Sequence, residues 1–289
     1  MQIEGWRYYN HAAIPTTPIH ENPNMQPIED GSIWRLDGAP LLARWITEFD
    51  CGYETGWWYV IKDTPFDISQ LKAKRRYEIN KGIKNFDVRV IDPREYKEAL
   101  YNVQVAAFSA YPEKYRPTVN KEDFFAQVDS WSDSLLMFGA FYRETNELVG
   151  YASLSHSDDN YIGFYAQKTK PEYEKYAINA ALVEAILRYF EESISNGKFI
   201  SDGARSINHE TAFQDYLEKY FGFRKAYCHI HLAYNPKVKW IIRFLFPFHK
   251  ILKKMDSIGI LHQINAILRM EEICRNDNKK QAMRLYEDK

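Results

Sequence analysis

Residues 161–190 constrain the fold more than any other stretch of the chain. Within them Ile178, Ala181, Leu182, Ala185, Ile186 and Tyr189 recur at helical spacing and form one apolar row. A row that wide must lie against a sheet. Residues 161–167 alternate as a strand, Pro171 opens the helical stretch, and beyond Gly197 residues 198–201 read as a second, short strand. A long helix between two strands makes a crossover, so these strands are expected to be parallel neighbours. Residues 135–142 and 148–156 also read as strands. The turn sequences Glu144-Thr145-Asn146-Glu147 and Ser157-Asp158-Asp159-Asn160 are short enough to dictate an antiparallel meander with 161–167. The expected fold class is therefore α/β of the α+β kind: a mixed, mostly antiparallel sheet with one parallel strand pair, flanked by helices.

The other segments attach to that frame. Pro15, Pro18, Pro23 and Pro27 break up the start, and the runs LLARWITEF and GWWYVIK read as strands, giving a small β-containing lobe over 1–66. Asp67 reads as the N-cap of a basic helix over 68–84, with a strand over 86–91 behind it. Asp92-Pro93 opens a helix in which Ala99, Val103 and Ala107 share a face, and Asn120 caps another. Ser206 or Asn208 caps a helix to Phe221, and 225–234 is a long last strand. Residues 67–235 thus form the main domain, and 236–289 form amphipathic helices with a charged tail, expected to fray from Glu271.

With 45% apolar and 16% aromatic residues among 289, the chain is expected to bury a full core. Its formal net charge of -1 excludes a global pull toward nucleic acid or anionic membrane and leaves only local patches. Cys51, Cys228 and Cys274 are odd in number and lack C-x-x-C spacing, so they read as free thiols in a reducing compartment. No apolar stretch reaches the ~18 residues of a membrane span, and no basic-then-apolar leader pattern opens the chain. The expected location is cytoplasmic, with peripheral contact at the inner membrane face left open. No G-x-S-x-G, P-loop or dinucleotide fingerprint is present. His156, Asp158 and Asp159 at one turn, and His229 and His231 on one strand face, lack a third ligand at recognised spacing, so no metal is expected.

The order strand, two helices, three-strand meander, helix, strand, helix, strand over 86–234 resembles the GCN5-related N-acetyltransferase (GNAT) superfamily. Its most specific sequence echo is Asn208, Ala212 and Tyr216 followed by Gly222-Phe223, similar to that superfamily's penultimate helix closing on Gly-Phe. The segments KAKRRYEINKGIKNFDVRV and FISDGARSINHETAFQDYLEKYFGFRKA are similar to the FemAB-like aminoacyltransferases and to exopolysaccharide-associated acyltransferases. The resemblance implies an acyltransferase with a splay between the two parallel strands, ending at Gln167 and Ser201. There an acyl thioester, acetyl-CoA or another acyl-CoA, lies against its acceptor. Tyr165 and Gln167 share a face of the first parallel strand by period-two alternation and either line the acyl channel or fill the core; with Lys168, and with Ala177 and Asn179 in the turn before the long helix, they are the candidate donor contacts. The resemblance also implies an amino group of a sugar or a peptidoglycan-type cell-envelope precursor as acceptor. The family fills that turn with an Arg or Gln and two Gly or Ala residues that hold a pyrophosphate. This sequence aligns Glu174, Ala177 and Asn179 there: a carboxylate repels the anion, and Asn179 crowds the backbone approach. A shifted phosphate site, an aminoacyl-tRNA donor and a non-catalytic binding or scaffold role all stay open.

Asp202, at the carboxyl end of the second parallel strand, is the first candidate for general base or acceptor binding; an Asx turn with Gly203 is the alternative. His209 is the second candidate base, or a first-turn residue without chemistry. Tyr216 resembles the family's thiolate-protonating Tyr, with Tyr220 competing for the role and a packed aromatic as the alternative for each. Arg75 falls in one row with Leu71, Ile79 and Ile83, an awkward place for a charge without a partner, and is a candidate contact for an anionic substrate group or a tRNA; a solvated basic face with Arg75 snorkelling is the alternative. Arg205 is a candidate for an anionic or sugar acceptor. Residues 237–254, KVKWIIRFLFPFHKILKK, carry six Lys or Arg and no acid, interleaved with aromatics. They read either as an interfacial helix on anionic membrane or as a seam of Ile241, Leu245, Phe248, Leu252 and Met255 that covers the sheet.

Overall fold

A strand that is apolar on both of its alternating faces needs a layer on each side, and Leu135–Tyr142, LLMFGAFY, is such a strand. The structure, a computed structural model, describes residues 1–113, 116–156, 160–207, 212–253 and 259–287. In chain order the elements are β1 (Trp6–Tyr9), β2 (Ala12–Pro15), α1 (Gln26–Glu29), β3 (Leu42–Thr47), β4 (Trp57–Lys62), α2 (Ala73–Asn85), β5 (Phe86–Ile91) and α3 (Lys97–Ser109). Then come α4 (Lys121–Asp129), β6 (Leu135–Tyr142), β7 (Glu147–Ser155), β8 (Tyr161–Thr169), α5 (Ile178–Tyr189), α6 (Glu191–Ser195), β9 (Phe199–Ala204) and α7 (Ala212–Phe221). The chain closes with β10 (Arg224–Tyr234), α8 (Pro236–Leu245), α9 (His249–Leu252) and α10 (Gly259–Glu287). Two compact units result, and they interleave in sequence instead of following 1–66, 67–235 and 236–289. One comprises residues 1–59, 204–211 and 225–289, the other 60–203 and 212–224.

In the second unit β5, β6, β7 and β8 pair antiparallel in succession, and β8 pairs parallel with β9, as the turn lengths and the crossover dictate. Ile91, Met137, Phe141, Leu148 and Tyr151 form one face of this sheet and pack with Leu100 and Val103 of α3. On the other face Phe138 meets Tyr189 edge-on at 5.3 Å, and Tyr142 lies 5.1 Å from Tyr173. That face is covered by α5, whose buried residues run from Ile178 to Leu187. Here the apolar row expected from the sequence is found in full except at Tyr189, which stays exposed.

Helix α2 starts later than expected. Asp67 caps only a 3-10 turn over Ile68–Gln70, its carboxylate accepting from the Ser69 N–H, and the α-helix begins at Ala73. Leu71 therefore falls outside the row with Arg75. Further along, Gly82 packs directly on the turn ahead of α5: a Cβ there would lie 2.6 Å from the Ala177 carbonyl oxygen and 3.0 Å from the Ala181 nitrogen. The two backbones meet this closely only because residue 82 has no side chain.

In the first unit β1 and β2 form an antiparallel hairpin, β2 runs parallel to β3, and β3 pairs antiparallel with β10. Trp57, Cys228 and Ile230 pack with Met270 of α10, and Trp6, Ala13, Ile33, Leu36 and Ala43 form a second cluster. From Glu271 to Glu287 the chain continues α10; Glu271 accepts from the Tyr234 hydroxyl at 2.7 Å, and Asp277 is buried, accepting the Gly56 N–H at 2.9 and 3.1 Å. Cys51, Cys228 and Cys274 are free thiols.

Candidate functional site

Strands β8 and β9 pair through Tyr161↔Phe199, Ile162↔Ile200 and Gly163↔Ser201, and the pairing stops there. Across β7, Ser153 faces Ala166 while Leu154 faces Phe164, so Tyr165 is an extra residue, a bulge. A bulge bends its strand and leaves the extra residue out of the ladder. From Phe164 onward β8 therefore diverges from β9, and the two parallel strands open at Gly163 and Ser201, earlier on β8 than the expected Gln167. Tyr165 is left 62% exposed.

Asp202 is the first residue of β9 past that divergence. Burial pushes its carboxyl up to about 7, partly opposed by a hydrogen bond from Gln214. The Ser201 hydroxyl accepts the Gly203 N–H at 3.2 Å, and Gly203 takes φ +90. Gln214 on α7 is buried, and its amide also reaches the Asp202 carbonyl at 3.5 Å. A glutamine in the buried stripe Gln214, Leu217, Phe221 is the sequence signal for this partner.

Tyr216, two positions beyond Gln214, is turned roughly 200° round α7; its ring is 5.3 Å from Tyr220 and 6.2 Å from Phe213, which meets Phe164 of β8 at 5.6 Å. Burial pushes its phenol up, and the Glu78 carboxylate adds to that. Arg75 meets the same cluster, its guanidinium 3.1 Å from the Tyr220 ring centroid and ion-paired to Glu78. The awkward charge in the α2 row thus has partners within the protein. His209 lies outside the described residues.

Gln167 and Asn179 come together: the Gln167 amide donates to Asn179 Oδ1 at 2.8 Å, and the Thr169 hydroxyl donates to the same oxygen at 3.4 Å. The Gln167 Oε1 is buried with no partner. Lys168 points to the other face of the sheet, its ammonium 5.0 Å from the Phe108 ring of α3, and burial pushes its pKa down. Arg205 belongs to the first unit. There its guanidinium lies 4.2 Å from the Trp58 ring and donates to the Gly56 carbonyl at 2.7 Å. Lys62 is a further buried cation that no motif announced. It donates to the Thr64 hydroxyl at 2.7 Å, and burial pushes its pKa down. Among the described residues no three His, Cys, Asp or Glu gather as metal ligands. His229 and His231 bond Tyr53 at 2.8 Å and Thr47 at 2.7 Å instead.

The two ends of the opening differ in what they fit. The diverging strands and the Asp202 carboxyl suit an acyl arm that faces a proton acceptor. The turn before α5 does not suit a pyrophosphate. Ala177 does adopt the left-handed φ of +66 that a glycine would supply, but Gly82 of α2 packs on that first turn, the Asn179 amide is held by β8, and Glu174 is exposed on the turn.

No protein-family model matches the chain, and no curated protein matches it in sequence. Solved structures similar to it include the PaiA N-acetyltransferase of Thermoplasma acidophilum in complex with coenzyme A, at 22% identity over 36% of this chain and 72% of that one, TM-score 0.28. L-PGS from Bacillus licheniformis is similar at 14% identity over 82% of each chain, TM-score 0.48. FemX is similar at 10% identity over 70% of this chain and 74% of its own, TM-score 0.46.

Proposed function

We propose that the protein is an acyltransferase of the N-acyltransferase type, moving an acyl group from a thioester donor to an amino group of a sugar or cell-envelope precursor. The observation that carries this reading is the desolvated Asp202 carboxyl at the point where two parallel strands part. A base whose pKa is near the working pH accepts a proton most effectively. Asp202 takes the proton from the acceptor amine as its nitrogen bonds to the acyl carbon and the carbon–sulfur bond breaks; the departing thiolate is protonated from solvent. The bulge leaves Tyr165 out of the ladder with β7, which supports laying the acyl arm along β8 at that point. A bound acyl-CoA supplies the activated acyl carbon. The free thiols fit the reducing cytoplasm in which acyl thioesters are made.

A second donor follows from the turn before α5. Its covering by α2 and the exposed Glu174 support an aminoacyl-tRNA as the alternative donor, with the basic α2 as the surface for the nucleic acid. Thiol release from a panel of acyl-CoA thioesters, in the presence of amino-sugar acceptors, tests the first reading. Transfer from aminoacyl-tRNA tests the second. Neither activity, together with no calorimetric binding of any coenzyme A thioester, sinks both and leaves a binding or scaffold role.

A further inference from the structure

Helix α8 begins directly after β10, with the Asn235 side chain capping the Lys237 N–H and Pro236 in the first turn. Its inward anchors recur every three or four residues. Ile242 is buried, the Phe246 ring lies 3.9 Å from the Arg275 guanidinium, His249 lies 3.5 Å from Glu272, and the Leu252 carbonyl accepts from Asn265 at 3.0 Å. The expected seam is split: Leu252 turns inward, Ile241 and Phe248 face outward, and Met255 lies outside the described residues. The outward side is apolar. Trp240 is 71% exposed and Phe244 72%, with Ile241, Phe248 and Ile251 also exposed. Lys237, Lys239, Arg243, Lys250 and Lys253 stand among them, and no acidic residue occurs from Asn235 to Lys253.

We propose that this face of α8 and α9 docks on an anionic lipid bilayer, Trp240, Phe244 and their neighbours entering the boundary between headgroups and acyl chains while the basic residues meet lipid phosphates. Exposed aromatic and aliphatic side chains ringed by Lys and Arg on a short helix are what such a surface binds. A second copy of the chain is the poorer occupant, because a two-fold contact through this face sets its cations against their own copies. Ile241 and Ile251 offer nothing to a nucleic acid. The proposal does not rest on the acyl-transfer reading.

Vesicle flotation of the full chain tests it, with phosphatidylcholine alone and with phosphatidylglycerol added. The chain is expected to float only with the anionic vesicles and to be released by high salt. Trp240→Ser with Phe244→Ser should weaken binding about tenfold or more, and each of Lys237→Gln, Lys239→Gln and Arg243→Gln about fivefold. All these side chains are exposed, so the melting temperature stays unchanged. No flotation with anionic vesicles overturns the proposal. So does flotation that survives the aromatic double substitution, or a dimer in solution that this substitution converts to monomer.

Discussion

A carboxyl that titrates near neutrality makes the same residue a base and a liability. The folded chain keeps the Asp202 proton to about pH 7, whereas the unfolded chain releases it near about 3.9. Between those values the native state binds more protons, so this residue's contribution to stability falls as pH rises from about 4 to about 7, by on the order of 4 kcal/mol in all. Asp202→Asn should remove that slope from a series of denaturant titrations and leave the protein more stable than wild type at pH 8. The same substitution should lower kcat/KM by roughly 10²- to 10⁴-fold and abolish the rise of activity through neutral pH; full turnover in the variant would remove Asp202 as the base. Tyr216→Phe, by contrast, should cost far less than the ~10²-fold expected of a general acid, since α7 carries its ring away from Gln214. Asp202 was legible in the sequence because the end of a parallel strand is a position with a meaning. Gln214 was not, because one polar residue in an apolar helical stripe reads as a lapse in the pattern until its partner is seen.

Elements with a strong period were legible, and those whose fate depends on a neighbour were not. The row on α5 and the turn lengths of the meander specify pairing and burial by themselves. The first turn of α2 gave way to a 3-10 turn because Asp67 satisfies Ser69 locally, and the outward face of α8 depends on which of two competing stripes meets α10. The contact of α2 with α5 was likewise invisible, since Gly82 in a basic helix reads as a simple interruption. Gly82→Ala should destabilise the second unit by about 1–3 kcal/mol, because the obstacle is backbone and cannot rotate away. Thermal melting checks this, and an unchanged transition would mean that the two helices separate freely.

At the scale of the whole molecule, the chain passes between its two compact units more than once, and the last segment completes the first unit. Removing residues 236–289 should therefore strip Met270 and its neighbours from Trp57, Cys228 and Ile230 and delete the Asp277 acceptor from Gly56. The truncated chain is expected to lose cooperative unfolding of the first unit and to aggregate; a soluble fragment with a sharp melt would show that α10 is dispensable. The sequence division at 235 missed this because amphipathic helices at a chain end look like an appendage whatever they cover.

The pairing of β3 with β10 also sets an order of events during synthesis. Thr47 and His231, hydrogen-bonded in the finished sheet, are 184 residues apart in sequence. At about 5–20 residues per second a ribosome needs roughly 10–40 s to bridge that interval. Throughout it the second unit can fold from local contacts while β3 waits with one edge open. A nascent chain of this architecture matures from its middle outward, and its exposed early strands are where a ribosome-associated chaperone would have work to do.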